Sequence, residues 1–177
     1  MSRQIDPEES DHVGARIAQW RREQPDIDTL GMAILGRARW ITLQVRPAIE
    51  VVFAKHDLDT GEFDVLSTLL RSGPPYRLRP TELYRSLMIS SGGLTDRLSR
   101  LERAGLIDRA TDTQDARSKI VALTEKGRAL AETVFREDME VEAGLISDLS
   151  EEDRAHLSRL LAKLSSLLSA RDEARSD

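Results

Sequence analysis

The residues with the clearest chemical potential lie in one stretch, from Leu87 to Lys119, where a serine-rich turn leads into a short polar helix and then into a charged hairpin. The spacing predicts a helix over about residues 91–104. Ser90 or Ser91 can cap its first turn by accepting a backbone N–H. Gly105 suits the left-handed conformation with which many helices end.

This predicted helix has two different faces when its residues are placed at about 100° intervals. Leu94, Leu98 and Leu101 share one narrow face, which we expect to pack inward. The opposite side is small, polar and partly basic, which suits the major groove of DNA. It holds Gly92, Thr95, Ser99 and Arg103, with Asp96 and Arg100 beside them. Arg97 differs, because it lies about 60° from the centre of the leucine face and should point towards the protein.

A polar loop between two predicted strands, residues 106–110 and 119–123, follows the helix. Its charged residues are Asp112, Asp115, Arg117 and Lys119. An arginine at a hairpin tip can enter a narrow minor groove, and Asp115 can hold the tip in shape by an Asx-type turn or an ion pair. A solvated surface hairpin is the alternative. After a capped helix, the hairpin favours a winged helix-turn-helix that reads double-stranded DNA.

The charge distribution supports a nucleic-acid partner although the net charge of the 177-residue chain is −5. Residues 71–119 hold ten Lys/Arg and six Asp/Glu, a net charge of +4, and the rest of the chain has a net charge of −9. A basic middle between acidic arms suits a DNA reader whose other faces repel phosphate.

Other functional classes find little support in the composition. The chain has no cysteine, which excludes disulfides and thiolate metal sites and fits a reducing cytoplasm. It has no apolar run of about 18 residues for a membrane span, and its first residues are too polar for a signal peptide. His12, His56 and His156 lie on separate polar stretches, away from any nucleophile motif. We therefore expect no enzyme, no metal site and no cofactor.

Helices are predicted to position the DNA-reading stretch. Amphipathic spacing indicates helices over about residues 8–23 and 27–55, the second with a kink or a break at Pro47. Thr60 would cap the next helix and Pro80 would begin the one before the DNA-reading helix. A short strand near Leu78 would pair with the hairpin.

The C-terminal third is predicted to form two long helices, capped by Thr124 and by Ser150. The second carries a continuous apolar stripe of Leu157, Leu160, Leu161, Leu164, Leu167 and Leu168. One small domain cannot bury so much helical surface, so we expect a symmetric homodimer, with an intramolecular bundle as the alternative. A two-fold dimer would bind a pseudo-palindromic site with half-sites about one helical turn apart.

The expected fold class is mainly α with a small β-wing: a winged helix-turn-helix with N- and C-terminal dimerisation helices. Residues 1–58 would form an extension helix and a dimerisation helix, residues 59–123 the DNA-binding domain, and residues 124–177 the C-terminal dimerisation helices. The competing interpretation is an acidic helical adaptor that uses a winged-helix domain to bind another protein.

Taken together, the motifs resemble the MarR family of transcriptional regulators over about residues 30–170. The matching segments are Thr60-Gly-Glu-Phe-Asp-Val-Leu, Pro80-Thr-Glu-Leu, Ser90-Ser-Gly-Gly-Leu-Thr-Asp-Arg-Leu, Leu101-Glu-Arg-Ala-Gly-Leu-Ile-Asp-Arg, Asp115-Ala-Arg117 and Leu123-Thr-Glu-Lys-Gly. The resemblance implies a homodimeric DNA binder, usually a repressor released by a small, often phenolic or anionic molecule. It assigns DNA contacts to Ser90, Ser91, Thr95, Arg100 and Arg117, with Asp115 as the wing's internal partner. We also expect Arg103 and Lys119 to contact DNA, because of their positions on the predicted helix and hairpin.

The N-terminal segment, with Trp20 ahead of Pro25-Asp26-Ile27-Asp28, resembles the urate-responsive branch of that family. The resemblance places Trp20, Asp64, Ser72 and Arg97 in an effector pocket. Ser72 stands where the branch has asparagine, which removes an amide that donates and accepts at once. We hypothesise that an anionic ligand replaces Asp64 as the partner of Arg97 and shifts the DNA-reading helix. A structural ion pair and a plain packing role for Trp20 are the alternatives.

Overall fold

The computed structural model describes residues 11–88, 93–111 and 119–176 of the chain. The chain divides into two compact units, Met1–Thr60 and Gly61–Asp177. Within the described residues, every helix is too short or too polar to cross a lipid bilayer.

The first unit contains two helices, α1 (His12–Glu23) and α2 (Leu30–Ala54). Asp11 caps α1, because its carboxylate accepts the Gly14 N–H at 2.6 Å. Val13 and Ile17 are buried where α1 packs on α2, and the Val13 side chain lies against Gly36 of α2. The predicted first helix is confirmed over its described part.

Polar contacts also join α1 to α2. Arg37 of α2 donates from Nε to an Asp11 carboxylate oxygen at 2.7 Å. This hydrogen bond, with the Gly14 N–H, holds the pKa of Asp11 below its ordinary value. The His12 ring stacks on Trp40 with 3.8 Å between the ring centroids.

Pro47 lies inside α2, which nevertheless continues as one 25-residue helix. A proline removes one backbone hydrogen bond and crowds the preceding turn. The structure excludes a break at Pro47, one of the two outcomes left open by the sequence.

The second unit holds the other elements in the order expected of a winged helix-turn-helix. They are α3 (Thr60–Arg71), β1 (Arg77–Leu78), α4 (Pro80–Ser86), α5 (Leu94–Arg103), β2 (Ile107–Thr111), β3 (Lys119–Leu123), α6 (Glu125–Leu145) and α7 (Glu151–Ser176). Pro80 occupies the first turn of α4, as predicted, where its missing N–H has no helical partner to lose.

The core of the second unit is aliphatic and draws on elements α3 to α6. Its largest fully buried side chains are Val65, Leu66, Thr68, Leu69, Leu83, Leu101, Ile107, Val121 and Val134. Most of these positions follow from the 3.6-residue period of the helices and the two-residue period of the strands.

The small sheet is antiparallel in the order β1-β3-β2. The predicted pairing of Leu78 with the hairpin is confirmed, since Leu78 lies opposite Val121. The strand β2 begins at Ile107, one residue later than predicted, and pairs with β3 from Ile107 opposite Leu123 to Thr111 opposite Lys119.

The helix α6 is anchored at its start by Thr124, whose hydroxyl accepts the Gly127 N–H at 2.9 Å. The backbone carbonyl of Leu106 lies so close to Gly127 that a Cβ atom there would overlap it. The cap predicted at Thr124 is confirmed, and a glycine is required three residues later because the β2 end of the sheet is packed against this turn.

The helix α7 begins as predicted. The Ser150 hydroxyl accepts the Asp153 N–H at 3.1 Å and donates to the Asp153 carboxylate at 2.6 Å. Five of the leucines of α7 face solvent in the single chain: Leu157, Leu160, Leu161, Leu167 and Leu168 are 43% to 61% exposed, whereas Leu164 is half-buried.

Candidate nucleic-acid interface

The helix α5 carries the predicted DNA-reading face, but it begins later than predicted. Its first residue is Leu94, and its N-cap position is Gly93, with a φ of 75°, where the sequence suggested a serine cap at residue 90 or 91. Glycine enters this left-handed region without steric cost, so the chain can turn into α5 at residue 93. At the other end, Gly105 has the predicted left-handed φ, 69°.

The two faces of α5 divide as the helical phase predicts. Leu98 and Leu101 are buried, whereas Thr95, Arg100 and Arg103 are exposed. Arg97 is half-buried, in keeping with its position towards the protein side. The outward face is therefore available to a groove of DNA.

The Arg100 side chain extends from α5, and its guanidinium contacts a residue of α3. Its Nε donates to a carboxylate oxygen of Glu62 at 2.6 Å. The Glu62 side chain is 10% exposed and that of Arg100 is 46% exposed. A buried carboxylate thus holds the guanidinium of a side chain that is still nearly half exposed. No sequence signal identified Glu62, because 38 residues separate the partners.

Arg97 lies over the beginning of α3. A Cβ atom at Gly61 would overlap the Arg97 guanidinium. Glycine at position 61 therefore makes room for this side chain. The half-buried position agrees with a role inside the protein and not on the DNA surface.

Asp64, on the same helix, is 6% exposed. Its two carboxylate oxygens accept the backbone N–H of Met88 at 3.2 and 3.0 Å, and Arg71 Nη1 lies 4.0 Å from Oδ1. Arg71 also donates to the Ser86 carbonyl. Asp64 thus fastens the chain between α4 and α5 to α3, and a change in its partners would act on the entry to α5.

The other two residues of the predicted effector pocket are both exposed. Ser72 is exposed, and its hydroxyl donates to the Leu69 carbonyl at 2.7 Å. Trp20 is on α1 in the first unit and is 52% exposed. The grouping of Trp20 with Asp64, Ser72 and Arg97 remains a prediction.

Lys119 is exposed at the start of β3, the central strand, directly after the hairpin loop. The hydrogen bond from Arg109 lowers the pKa of the nearby Glu102, with smaller contributions from the charges of Arg109 and Lys119. Arg103 is exposed, and its Nε donates to the Ser99 carbonyl at 3.2 Å. Both cations are placed where a DNA backbone could meet them.

A cleft of about 600 Å³ opens between α4 and the start of α5. Its lining includes Thr81, Tyr84, Arg85 and Thr95, and Tyr84 is 57% exposed. In helix-turn-helix proteins the first helix crosses the phosphate backbone while the second enters the groove. Thr81, Tyr84 and Arg85 are therefore candidate phosphate contacts that the sequence analysis missed, although Arg85 lies in the basic segment.

Four predicted contacts, Ser90, Ser91, Asp115 and Arg117, lie outside the described residues. The described part of the surface comprises an exposed polar face on α5, a cleft beside α4 and a three-stranded sheet. That combination defines a winged helix-turn-helix DNA-binding protein.

The comparison with known sequences gives the family. The family model described as MarR family matches residues 56–118. The HTH-type transcriptional regulator PecS of Dickeya dadantii is 40% identical over 148 residues, which cover 84% of this chain and 89% of PecS. The chain belongs to the MarR family. It is a DNA-binding transcriptional regulator and not an enzyme.

Solved structures agree with this assignment. The S. aureus MepR–DNA complex matches with a TM-score of 0.65 at 26% identity, over 75% of this chain and 96% of MepR. A MarR-like regulator from Bacillus cereus has the same fold, with a TM-score of 0.70 at 19% identity over 80% of this chain and 99% of that chain. The predicted winged-helix fold is confirmed, and the family leaves no support for the protein-binding adaptor.

Proposed function

We propose that the protein is a homodimeric repressor of pseudo-palindromic operators in the cytoplasm, and that a small anionic or aromatic effector such as a purine releases it. The observation that carries the proposal is the exposed face of α5, where Thr95, Arg100 and Arg103 can meet a major groove. A repressor of this type acts by occupying the operator and excluding the transcription machinery.

The dimer is supported by five leucines of α7, Leu157, Leu160, Leu161, Leu167 and Leu168, each at least 43% exposed in the single chain. A row of exposed leucines on one helix is normally covered by a partner. A two-fold pair of chains would present two α5 helices about 34 Å apart, the spacing of half-sites one helical turn apart. The paired domains would also raise the affinity by effective concentration.

The DNA contacts divide into two groups. Thr95 and Arg100, with Ser90 and Ser91, are proposed to contact base edges and the adjoining backbone in the major groove. Arg117 at the hairpin tip is proposed to enter the minor groove, with Asp115 as its support. Exposed cations, Arg103 and Lys119, together with Arg85 beside α4, would contact phosphates.

The operator is found by selecting bound sites from random DNA with the full chain, and affinity is then measured by fluorescence anisotropy at several salt concentrations. We expect a steep fall in affinity with salt, because each phosphate contact releases counterions. Arg100→Ala should cost about 1–3 kcal/mol if it contacts a base edge. The matched control is Arg22→Ala on α1. Equal loss in both variants, or no enriched palindrome, would refute the assignment.

The effector site is proposed to comprise Arg97 and Asp64, with Ser72 and Trp20. Two contacts in the second unit support a switch. Arg97 is half-buried over Gly61 on α3, and Asp64 holds the Met88 backbone just before α5. We propose that an anion drawn to Arg97 competes with Asp64 for it and alters the attachment of α5 to α3.

The switch is tested by titrating urate, xanthine and salicylate into the protein–operator complex. We expect release by at least one anion in the wild type, and no release in Arg97→Ala that still binds DNA. Ser72→Asn restores the amide of the urate-responsive branch and should favour urate over the other two. Unchanged release in Arg97→Ala would remove Arg97 from the effector site.

A further inference from the structure

A second cavity lies within the second unit, between α3 and α6. Its volume is about 470 Å³, within the range of about 300–1,000 Å³ that small-molecule sites occupy. The walls are mostly apolar, and their large side chains are Phe63, Leu70, Met88, Phe135 and Met139. None of these residues belongs to the proposed effector site or to the DNA surface.

One wall of this cavity is held in place by hydrogen bonds. Met88 follows α4 in an irregular segment, where a side chain would ordinarily be mobile. Its N–H is fixed by both carboxylate oxygens of Asp64, at 3.2 and 3.0 Å. The backbone of this part of the lining is therefore held by α3.

Asp138 of α6 lines the cavity and is 6% exposed. Its Oδ1 has no hydrogen-bond partner among the described residues. An unsatisfied buried acceptor costs about 1–3 kcal/mol and calls for an explanation. Burial, with the neighbouring charge of Glu142, raises the pKa of Asp138 to about 6. At neutral pH the cavity therefore contains a carboxylate that is mostly ionised.

The charges around Asp138 favour a cation. Glu142, one turn along α6, lines the cavity and adds a second carboxylate. The cation on the lining, Arg71 of α3, is directed to Asp64 and to the Ser86 carbonyl. A positive group inserted beside Asp138 would meet two carboxylates, while Arg71 is already engaged at the other end of the cavity.

We propose that this cavity binds a small organic cation with an apolar or aromatic body, whose ammonium group donates a hydrogen bond to Asp138. The lining offers apolar, aromatic and thioether surface to the body of such a molecule. Met88 is 83% exposed, so the site is an open cleft. Charge-assisted hydrogen bonds inside a cavity are among the stronger polar contacts. The ligand is opposite in charge to the effector proposed for Arg97, so the two sites would respond to different molecules.

The probe is 2-phenylethylammonium, compared with its neutral analogue 2-phenylethanol and its anionic analogue phenylacetate. Binding to the full chain is measured by isothermal titration calorimetry at pH 7.5, without DNA. We expect saturable binding of the ammonium with about one site per chain, and affinity for the alcohol and the acid weaker by about tenfold or more. Binding of all three with equal affinity, or of none, overturns the proposal.

Variants test the role of Asp138. Asp138→Asn keeps the size of the side chain and removes its charge, and it should weaken the ammonium complex by about tenfold or more. Glu142→Gln, at an exposed position, should weaken it by a smaller factor. The matched control is Glu140→Gln, which removes a charge from α6 outside the cavity lining and should leave the affinity unchanged. Equal affinity in wild type and Asp138→Asn refutes the site.

The measurement is independent of the proposed repressor function, because it detects the ligand directly and needs no operator. Loss of binding in Asp138→Asn with an unchanged far-ultraviolet circular dichroism spectrum and no loss of thermal stability assigns the effect to the site. Failure of urate to release DNA would leave the result intact.

Discussion

Two helices of this molecule each carry a row of leucines, and the two rows differ in burial. On α5, Leu98 and Leu101 are 5% and 1% exposed, and they fasten the DNA-reading helix to the second unit. On α7, Leu160 and Leu167 are 61% and 55% exposed. Both rows have helical spacing in the sequence, so spacing alone does not tell which row is covered by the chain itself.

The difference follows from the length of each helix and from its neighbours. The 10-residue α5 lies between α3 and the sheet and buries its row there. The 26-residue α7 leaves most of its leucines exposed among the described residues, at both ends of the row. The first row stabilises the fold of one chain, and the second is suited to joining two chains.

The largest effect should come from the buried row. Leu101→Ala removes a side chain that is 1% exposed, so it should lower the free energy of unfolding by about 2–5 kcal/mol. Urea unfolding followed by circular dichroism measures the change. Leu160→Ala, the same substitution on the exposed row, is the matched control and should cost far less in a chain held as a monomer. Similar losses in both would contradict the comparison.

The exposed row is tested by charge. Leu160→Asp combined with Leu167→Asp should leave each chain folded and raise the dimer dissociation constant by about 100-fold or more, which corresponds to about 3 kcal/mol. Analytical ultracentrifugation measures the association. Glu152→Lys, on the same helix but away from the leucines, serves as a control for changed charge. A double variant that remains a dimer at low concentration would place the interface elsewhere.

Asp138 offers an intermediate test, since it is a polar residue on the covered side of α6. Its raised pKa, about 6 against an ordinary 3.8, means that ionising it opposes folding. This contribution to stability is fully present below pH 3.8 and is lost as the pH rises through 6. Asp138→Asn should therefore unfold with a free energy about 1–3 kcal/mol higher at pH 7.5, and the gain should shrink as the pH falls to 4.

The measurement for Asp138 is a series of thermal unfolding curves between pH 4 and 8. The facing charges, Glu142 on α6 and Arg71 on α3, are unchanged in the variant. Glu140→Gln, at an exposed position, should show no such pH-dependent gain. A gain that is the same at every pH would argue against ionisation as its cause.

The smallest effects are expected from the two helix caps. Thr124→Ala removes the bond to the Gly127 N–H in the packed region and should cost about 1 kcal/mol. Ser150→Ala removes an equivalent bond at the solvent-exposed start of α7 and should change global unfolding less, because local fraying absorbs the loss. Hydrogen exchange at the first turn of each helix distinguishes the two responses.

The sequence predicted most of the local structure near the DNA surface. The leucine phase of α5, the stop at Gly105 and the cap at Thr124 all depend on residues a few positions apart. The pairing of Leu78 was also predicted, although its partner Val121 is 43 residues away in the sequence. The start of α5 was predicted wrongly, because a serine favours a cap but Gly93 at a left-handed φ can take that position.

The contacts that distinguish one side chain from another were decided only by the tertiary structure. Glu62 holds Arg100 across 38 residues of sequence, and Gly61 makes room for Arg97. Asp138 is one acidic residue among many on α6 until folding places it at a cavity without a hydrogen-bond partner among the described residues. Periodicity and capping act within a few residues and can be seen in the sequence, whereas burial and charge pairing depend on which distant segments meet.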